Sequence, residues 1–476
     1  MTRRKEWSLL VKGTHQCNLN CLHCYDKPSR DKYKDAKMSI ELVDYIARLS
    51  SEYSEKVNWI WHGGEPTLMG CDWYKEVQDV FYKYYSSSFM QYMQSNGILL
   101  DESWAKLSRD YDLDIGVSYD VMSQSFVRTG HMDFDFAKTA EIFKKYSKNI
   151  GTITVINDYN HDKMIEMYTA LKEIGSDRCF AFNTIFKSEE AEKNTLEFSS
   201  VEQYADSFRN YYKYWMYDDH MGCEERLAME ATKHIVGNRN ICCSNSDCRY
   251  NWLCIGPTGD IYPCDRDYPE IYLIGNIFDF NSIEEIYDSP GYQRYYNDIQ
   301  KRFDNYCSKC DYFMYCCGGC NANHSTAKGS LDKLDETVCD VFISRFVQAY
   351  DILRDVDVYK DKININVIKL AIDHPFFFMK EIKDFLEKHD YKVNLTYSTE
   401  PDKLLKSSEF KLFRVFNVYK GNDVAGHSDF YEYCMNVDFD QCCEFDMNSV
   451  KDKRYSIMEE ILERNKEQID KILSER

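Results

Sequence analysis

Short apolar runs alternate with amphipathic stretches along the first part of the chain. Residues 8–12, 57–62, 89–95, 114–119, 150–156 and 180–186 have the length and the β-branched or aromatic content of buried strands. Between them, residues 40–53, 73–85, 102–111, 134–146 and 163–174 carry apolar positions at helical spacing, and helix resumes from Val201. Strands alternating with helices of this length predict parallel βαβ units, here an α/β fold with an incomplete (β/α)6, TIM-like barrel. Ligands of such barrels sit at the C-terminal ends of the strands. The segment around Cys17 follows the first strand there, His62-Gly63-Gly64-Glu65-Pro66 the second, Ser95-Asn96-Gly97 the third and Ser118-Tyr119-Asp120 the fourth. That co-location predicts a single active site.

Beyond this region the pattern changes twice. Residues 240–340 are rich in turns and cysteines and read as a metal-held module with little apolar core of its own. Further on, 376–387 reads as helix, 392–398 and 410–419 as strands, and 459–473 as a charged terminal helix. The expected organisation is a barrel over 1–238, a cysteine-rich domain over 239–345 and a C-terminal α/β extension over 346–476, suited to recognising a substrate or partner. A chain of 476 residues accommodates that division.

Composition narrows the function. The formal charge of −20 argues against nucleic-acid binding, which needs a basic surface. No apolar run reaches membrane-spanning length, and the basic start Met1-Thr2-Arg3-Arg4-Lys5 is not followed by a signal-peptide core. A cytoplasmic protein without membrane contact is expected. Twenty cysteines in such a chain call for metal rather than disulfides.

Three of them stand as Cys17-x3-Cys21-x2-Cys24. Three thiolates can hold three corners of an iron–sulfur cube and leave the fourth iron open, whereas four saturate it. A zinc knuckle with a distant fourth ligand is the alternative. The paired glycines Gly63 and Gly64 let backbone approach a ligand closely, or simply make a turn. Cys17, Cys21 and Cys24, together with Gly63-Gly64-Glu65-Pro66-Thr67-Leu68, resemble the signatures of the radical S-adenosylmethionine (SAM) superfamily. The resemblance implies that the open iron chelates the methionine end of SAM and that Gly63, Gly64, Glu65 and Pro66 meet its amino group. It implies that Asn96 and Ser118 approach SAM and its ribose, turn and helix capping being their plain alternative, and that Arg128 reaches the SAM carboxylate. The implied chemistry is reductive cleavage of SAM to a 5′-deoxyadenosyl radical, which abstracts a substrate hydrogen.

Downstream, Cys248-x5-Cys254-x9-Cys264 precedes Cys307-x2-Cys310-x5-Cys316-x3-Cys320-x18-Cys339, with Gly259 and Cys264 in a Gly-x4-Cys string. This order resembles the SPASM extension of radical SAM enzymes, which holds two auxiliary 4Fe–4S clusters. By that resemblance one cluster belongs to Cys248, Cys254, Cys264 and Cys320, the other to Cys307, Cys310, Cys316 and Cys339, three 4Fe–4S clusters in all. Cys242 or Cys243 competes with Cys248, Cys317 with Cys316, and two structural zinc sites are the alternative. From Cys17 through Cys339 the chain is similar to anaerobic sulfatase-maturing enzymes, in which the aspartate at the position of Asp265 is thought to take a proton from substrate Ser or Cys. A turn-capping role for Asp265 is the alternative. Relatives with two auxiliary clusters mostly modify peptides or proteins, with electrons from a flavodoxin- or ferredoxin-type donor. The expected activity is oxidative crosslinking or dehydrogenation of a ribosomally made peptide. Formylglycine formation on a sulfatase and a non-catalytic, metal-stabilised binding protein are the alternatives.

Overall fold

The structure is a computed structural model that describes residues 3–85, 89–129, 134–174, 180–217, 225–235, 248–266, 272–310, 312–316 and 318–353, with three strands beyond. Six strands, β1 (Arg4–Lys12), β2 (Ser54–His62), β3 (Phe89–Ser95), β4 (Leu113–Ser118), β5 (Gly151–Ile156) and β6 (Ala181–Thr184), pair in that order, each parallel to the next. Register runs through Leu9↔Trp59, Ile60↔Tyr92 and Gln94↔Gly116. The parallel α/β architecture expected from the alternation is thus present.

Local chemistry explains the elements. Helix Ile40–Tyr53 starts where Ser39 accepts from the Leu42 amide, and it buries Leu42, Val43, Ile46, Ala47 and Leu49 at helical spacing. Asp101 and Asp135 cap helices Glu102–Asp110 and Phe136–Lys144 in the same way. In β1, Trp7, Leu9 and Val11 alternate inward, and fully burying an aliphatic side chain such as Leu9 contributes about 1.5–3 kcal/mol. The two interior tryptophans of β2, Trp59 and Trp61, pack with Phe81 and Tyr74, and Trp59 donates to the Tyr85 hydroxyl at 3.0 Å.

The cysteine-rich region departs from expectation. Strand β7 (Trp252–Ile255) extends the sheet beyond β1, parallel to it with Leu9↔Leu253 and Leu10↔Cys254, and β8 (Asp260–Tyr262) and β9 (Gly275–Asn276) continue it antiparallel, making nine strands. Leu253, Ile255, Ile261, Ile277, Ile286, Tyr292 and Ile299 belong to the same apolar cluster as Leu9 and Trp59. The module therefore shares the barrel's core instead of lacking one. It also holds helices Ile283–Asp288 and Pro290–Asn305. The buried face of the second is Tyr292, Tyr295, Ile299, Arg302 and Phe303.

Helix Glu336–Leu353 runs through residue 345 and packs against Val201–Tyr217 and Arg226–Ile235. Beyond it, β10 (Lys392–Ser398), β11 (Lys411–Tyr419) and β12 (Phe430–Asp438) form a separate antiparallel sheet in the order β10-β12-β11. The helices expected at 376–387 and 459–473 lie outside the described residues. Among the described residues no helix is long and apolar enough to cross a membrane.

Candidate active site

The loop after β1 carries Cys17, Cys21 and Cys24, close enough that Cys24 and Cys17 raise the pKa of Cys21 and Cys17 raises that of Cys24. Burial pushes the Cys21 thiol up to about 12, against the pull of Arg128. The loop is tied at several points. The Leu19 amide donates to Cys17 Sγ at 3.4 Å, the Leu22 amide to the Val127 carbonyl at 2.8 Å, and Arg30 to the Cys17 carbonyl at 3.4 Å.

The β2 loop locks onto it. The Glu65 amide donates to the Gln16 carbonyl at 2.7 Å and the Gly64 amide to Asp26 Oδ2 at 3.0 Å. Gly63 and Gly64 have φ of +75° and +46°, and a Cβ on Gly64 would stand 2.2 Å from the Gln16 oxygen. Both glycines are thus required by backbone conformation and close approach. The Glu65 carboxylate is fully engaged: it accepts from the Thr67 amide and hydroxyl, the Ser95 hydroxyl and, at 2.7 Å, the Asn96 amide. Its side chain fastens the loop after β2 to the end of β3.

Asn96 makes a turn and also reaches the loop after β1. Its Oδ1 accepts from the Ile98 amide, a turn, while Nδ2 donates to Asn18 Oδ1 at 2.7 Å and lies 3.8 Å from Cys17 Sγ. Ser118 ends β4 and accepts from Gln94 Nε2 at 2.8 Å. Arg128 is buried, with Nε 2.6 Å from Asp120 Oδ2, and its charge also reaches Cys21 and Cys24.

Some cysteines of the second module lie near one another. Cys254 sits on β7, and its charge reaches Lys12 at the end of β1. Cys264 and Cys320 pack around Phe186 in one small apolar cluster, and Cys248 Sγ accepts from Asn321 Nδ2 at 3.4 Å. Cys307, Cys310 and Cys339 interact electrostatically, and burial pushes Cys339 up to about 12. Cys316 is buried in the same stretch, and Cys242, Cys243 and Cys317 lie outside the described residues.

Among the described residues, the twelve cysteines whose side chains are placed form no disulfide. Soft thiolate donors with a buried Arg302 nearby fit anionic iron–sulfur centres. Among the described residues no three His, Cys, Asp or Glu side chains approach closely enough for a single ion.

Asp265 is where the two modules meet. Its Oδ2 accepts from the Tyr25 hydroxyl at 2.8 Å and lies 3.3 Å from His62 Nδ1, while its carbonyl accepts from Lys12 Nζ at 2.9 Å. Burial raises its pKa, but His62, Arg266, Lys12 and Tyr25 together outweigh that and hold the carboxyl below its ordinary value. Tyr25 follows Cys24, and His62 precedes Gly63. One carboxylate beside Cys264 thus touches neighbours of both barrel motifs. Sequence reasoning missed Tyr25, His62, Lys12 and Asp26 as site residues. Lys12 Nζ and Asp26 Oδ1 form a buried pair at 2.6 Å, and Asp26 Oδ2 also meets His15 at 3.2 Å. The one available signal was a lysine ending an otherwise apolar buried strand.

The site is thus framed by a partial parallel barrel with three cysteines in the loop after its first strand, continued on its β1 edge by a second cysteine-bearing module. Residues 11–171 match the radical SAM superfamily, and 243–311 match SPASM, an iron-sulfur cluster-binding domain. The chain accordingly carries a radical SAM domain followed by a SPASM domain. It is 24% identical over 347 residues to a cysteine-type anaerobic sulfatase-maturating enzyme of Clostridium perfringens, spanning 69% of this chain and 92% of that one. Its fold is similar to native anSMEcpe with bound AdoMet and Cp18Cys peptide, with TM-score 0.63 and 23% identity, covering 74% of this chain and 98% of that one. It is also similar to Streptococcus suis SuiB bound to precursor peptide SuiA, with TM-score 0.51 and 17% identity over 71% and 76% of the two chains.

Proposed function

We propose that this protein is a radical SAM enzyme that oxidatively modifies a side chain of a peptide, a ribosomally made one foremost, by crosslinking or dehydrogenation. The observation that carries the reading is the convergence on Asp265 of Tyr25 and His62, which joins the SPASM module to the barrel mouth in one pocket wall. In this reading Cys17, Cys21 and Cys24 hold the first cluster, and the backbone of Gly63 to Pro66 meets the SAM amino group. Asn96 and Ser118 border its ribose, and Arg128, paired with Asp120, faces its carboxylate. When bound, SAM and a reduced 4Fe–4S cluster supply a 5′-deoxyadenosyl radical that removes a substrate hydrogen atom. The ionised Asp265 carboxylate, held by Tyr25 and His62, accepts the substrate's proton. Cys248, Cys254, Cys264 and Cys320 hold one auxiliary 4Fe–4S cluster, and Cys307, Cys310, Cys316 and Cys339 the other. The enzyme works in the cytoplasm with a flavodoxin- or ferredoxin-type donor.

A second reading, oxidation of Ser or Cys to formylglycine on a sulfatase, is favoured by the match to 92% of the length of a sulfatase-maturating relative. One assay separates the two. Anaerobically reconstituted enzyme is given SAM, reductant and a peptide bearing Cys-x-Pro-x-Arg, and 5′-deoxyadenosine and peptide mass are read together. Conversion of the cysteine to an aldehyde establishes the sulfatase reading. Deoxyadenosine with unchanged peptide leaves the other. Cys21→Ala is expected to abolish deoxyadenosine while SPASM iron remains, and retained SAM cleavage would overturn the cluster assignment. Asp265→Asn is expected to lower product more than deoxyadenosine, and equal product removes it from the reaction.

A further inference from the structure

Helix Pro290–Asn305 carries Arg302 into the interior, where the residue is 0% exposed. A buried guanidinium is costly unless an anion answers it. No carboxylate among the described residues forms an ion pair with it. Its Nη1 donates to the Leu331 carbonyl at 3.2 Å, and its Nη2 to Asn321 Oδ1 and, at 3.5 Å, to the Gly318 carbonyl, all neutral acceptors. Its Nε donates to none of these. Burial pushes its pKa down, against Cys307, which acts by charge and through a side-chain hydrogen bond, and against Tyr295 and Cys339.

Asn321 extends that reach. A guanidinium only donates, so contact with Arg302 obliges the Asn321 amide to offer Oδ1 on that side. The Nδ2 then faces away and donates to Cys248 Sγ at 3.4 Å. Arg302 therefore stands directly beside one cysteine set and, through a single amide, beside the other.

We propose that Arg302 is a positioning residue shared by both cysteine sets of the SPASM domain, as counter-charge to Cys307 and Cys339 and as orienter of the Asn321 N–H toward Cys248. This rests on the reading above that the two sets hold iron–sulfur clusters. Positive charge and N–H donors at the sulfurs favour the more reduced, more negative state of a cluster, and so raise its potential.

The test uses the full chain with Cys17, Cys21 and Cys24 replaced by Ala, so that only the SPASM sets bind iron. Iron and sulfide are counted after anaerobic reconstitution, and midpoint potentials are followed by electron paramagnetic resonance. Arg302→Met is expected to move both potentials to more negative values, Arg302→Lys to restore part of the shift, and Asn321→Leu to move one potential only. Iron lost in Arg302→Met and recovered in Arg302→Lys supports the same conclusion, since the charge is what returns. Full iron with unshifted potentials in Arg302→Met overturns the proposal, as does iron loss in both arginine variants with Asn321→Leu unshifted. A reference protein that binds no iron overturns the cluster reading itself, so the two failures are told apart.

Discussion

Single residues at the barrel mouth answer to unusually tight local demands. Gly64 combines φ of +46° with a neighbouring carbonyl that would lie 2.2 Å from any Cβ. Gly64→Ala is expected to cost about 1–3 kcal/mol through overpacking, lowering the melting temperature and weakening SAM binding measured by calorimetry. Asp26 is held well below the usual carboxylate range by Lys12 and His15, which together outweigh its burial. A depressed folded-state pKa contributes stability that is complete above the unfolded carboxylate value and disappears as pH falls through the folded one. Asp26→Asn strands the Lys12 ammonium and should cost about 3–5 kcal/mol at neutral pH. In acid unfolding followed by circular dichroism, the gap from the parent protein should close progressively below about pH 4. A gap independent of pH would remove the Lys12–Asp26 pair from the account.

At the scale of elements, the junction of β1 and β7 decides how the two metal-binding modules relate. Leu253 and Ile255 are 0% exposed and lie in the core that contains Leu9 and Trp59. Leu253→Ala should therefore destabilise by about 2–5 kcal/mol and act on both modules together. In urea, tryptophan fluorescence from the barrel and visible absorbance from the clusters should shift in parallel. Separate midpoints would mean that the shared sheet does not couple the modules. Chelation of iron should likewise lower the unfolding midpoint of the whole unit, because ligand binding to the native state is linked to its folding.

For the whole molecule, strands β10, β11 and β12 form a sheet that shares no strand with the nine-stranded one. We propose that this C-terminal part recognises the substrate peptide or its carrier. Ending the chain after helix Glu336–Leu353 should then leave SAM cleavage intact while peptide modification falls at least tenfold. Modification at the parental rate would assign the extension another role. The charge of −20 suits a cationic peptide partner, whose binding should weaken with added salt.

What could be read without coordinates was local or periodic. The spacing of Cys17, Cys21 and Cys24 lies within one loop, helix Ile40–Tyr53 and strand Phe89–Ser95 carry their own patterns, and alternation alone implies a parallel sheet. Helix Pro290–Asn305 escaped because it lies within a stretch whose cysteines and turns read as a loop-rich module. The contact of Tyr25 with Asp265 joins positions 240 apart, and that of Lys12 with the Asp265 carbonyl positions 253 apart. No periodicity links residues so distant. Sequence by itself determined the alternating strands and helices of the barrel and the close spacing of its thiols, since propensity and spacing act over a few residues. Only the tertiary structure decided that β7 would dock on β1 and bring Asp265 against His62, because that pairing depends on burying apolar surface and charge between segments far apart in the chain.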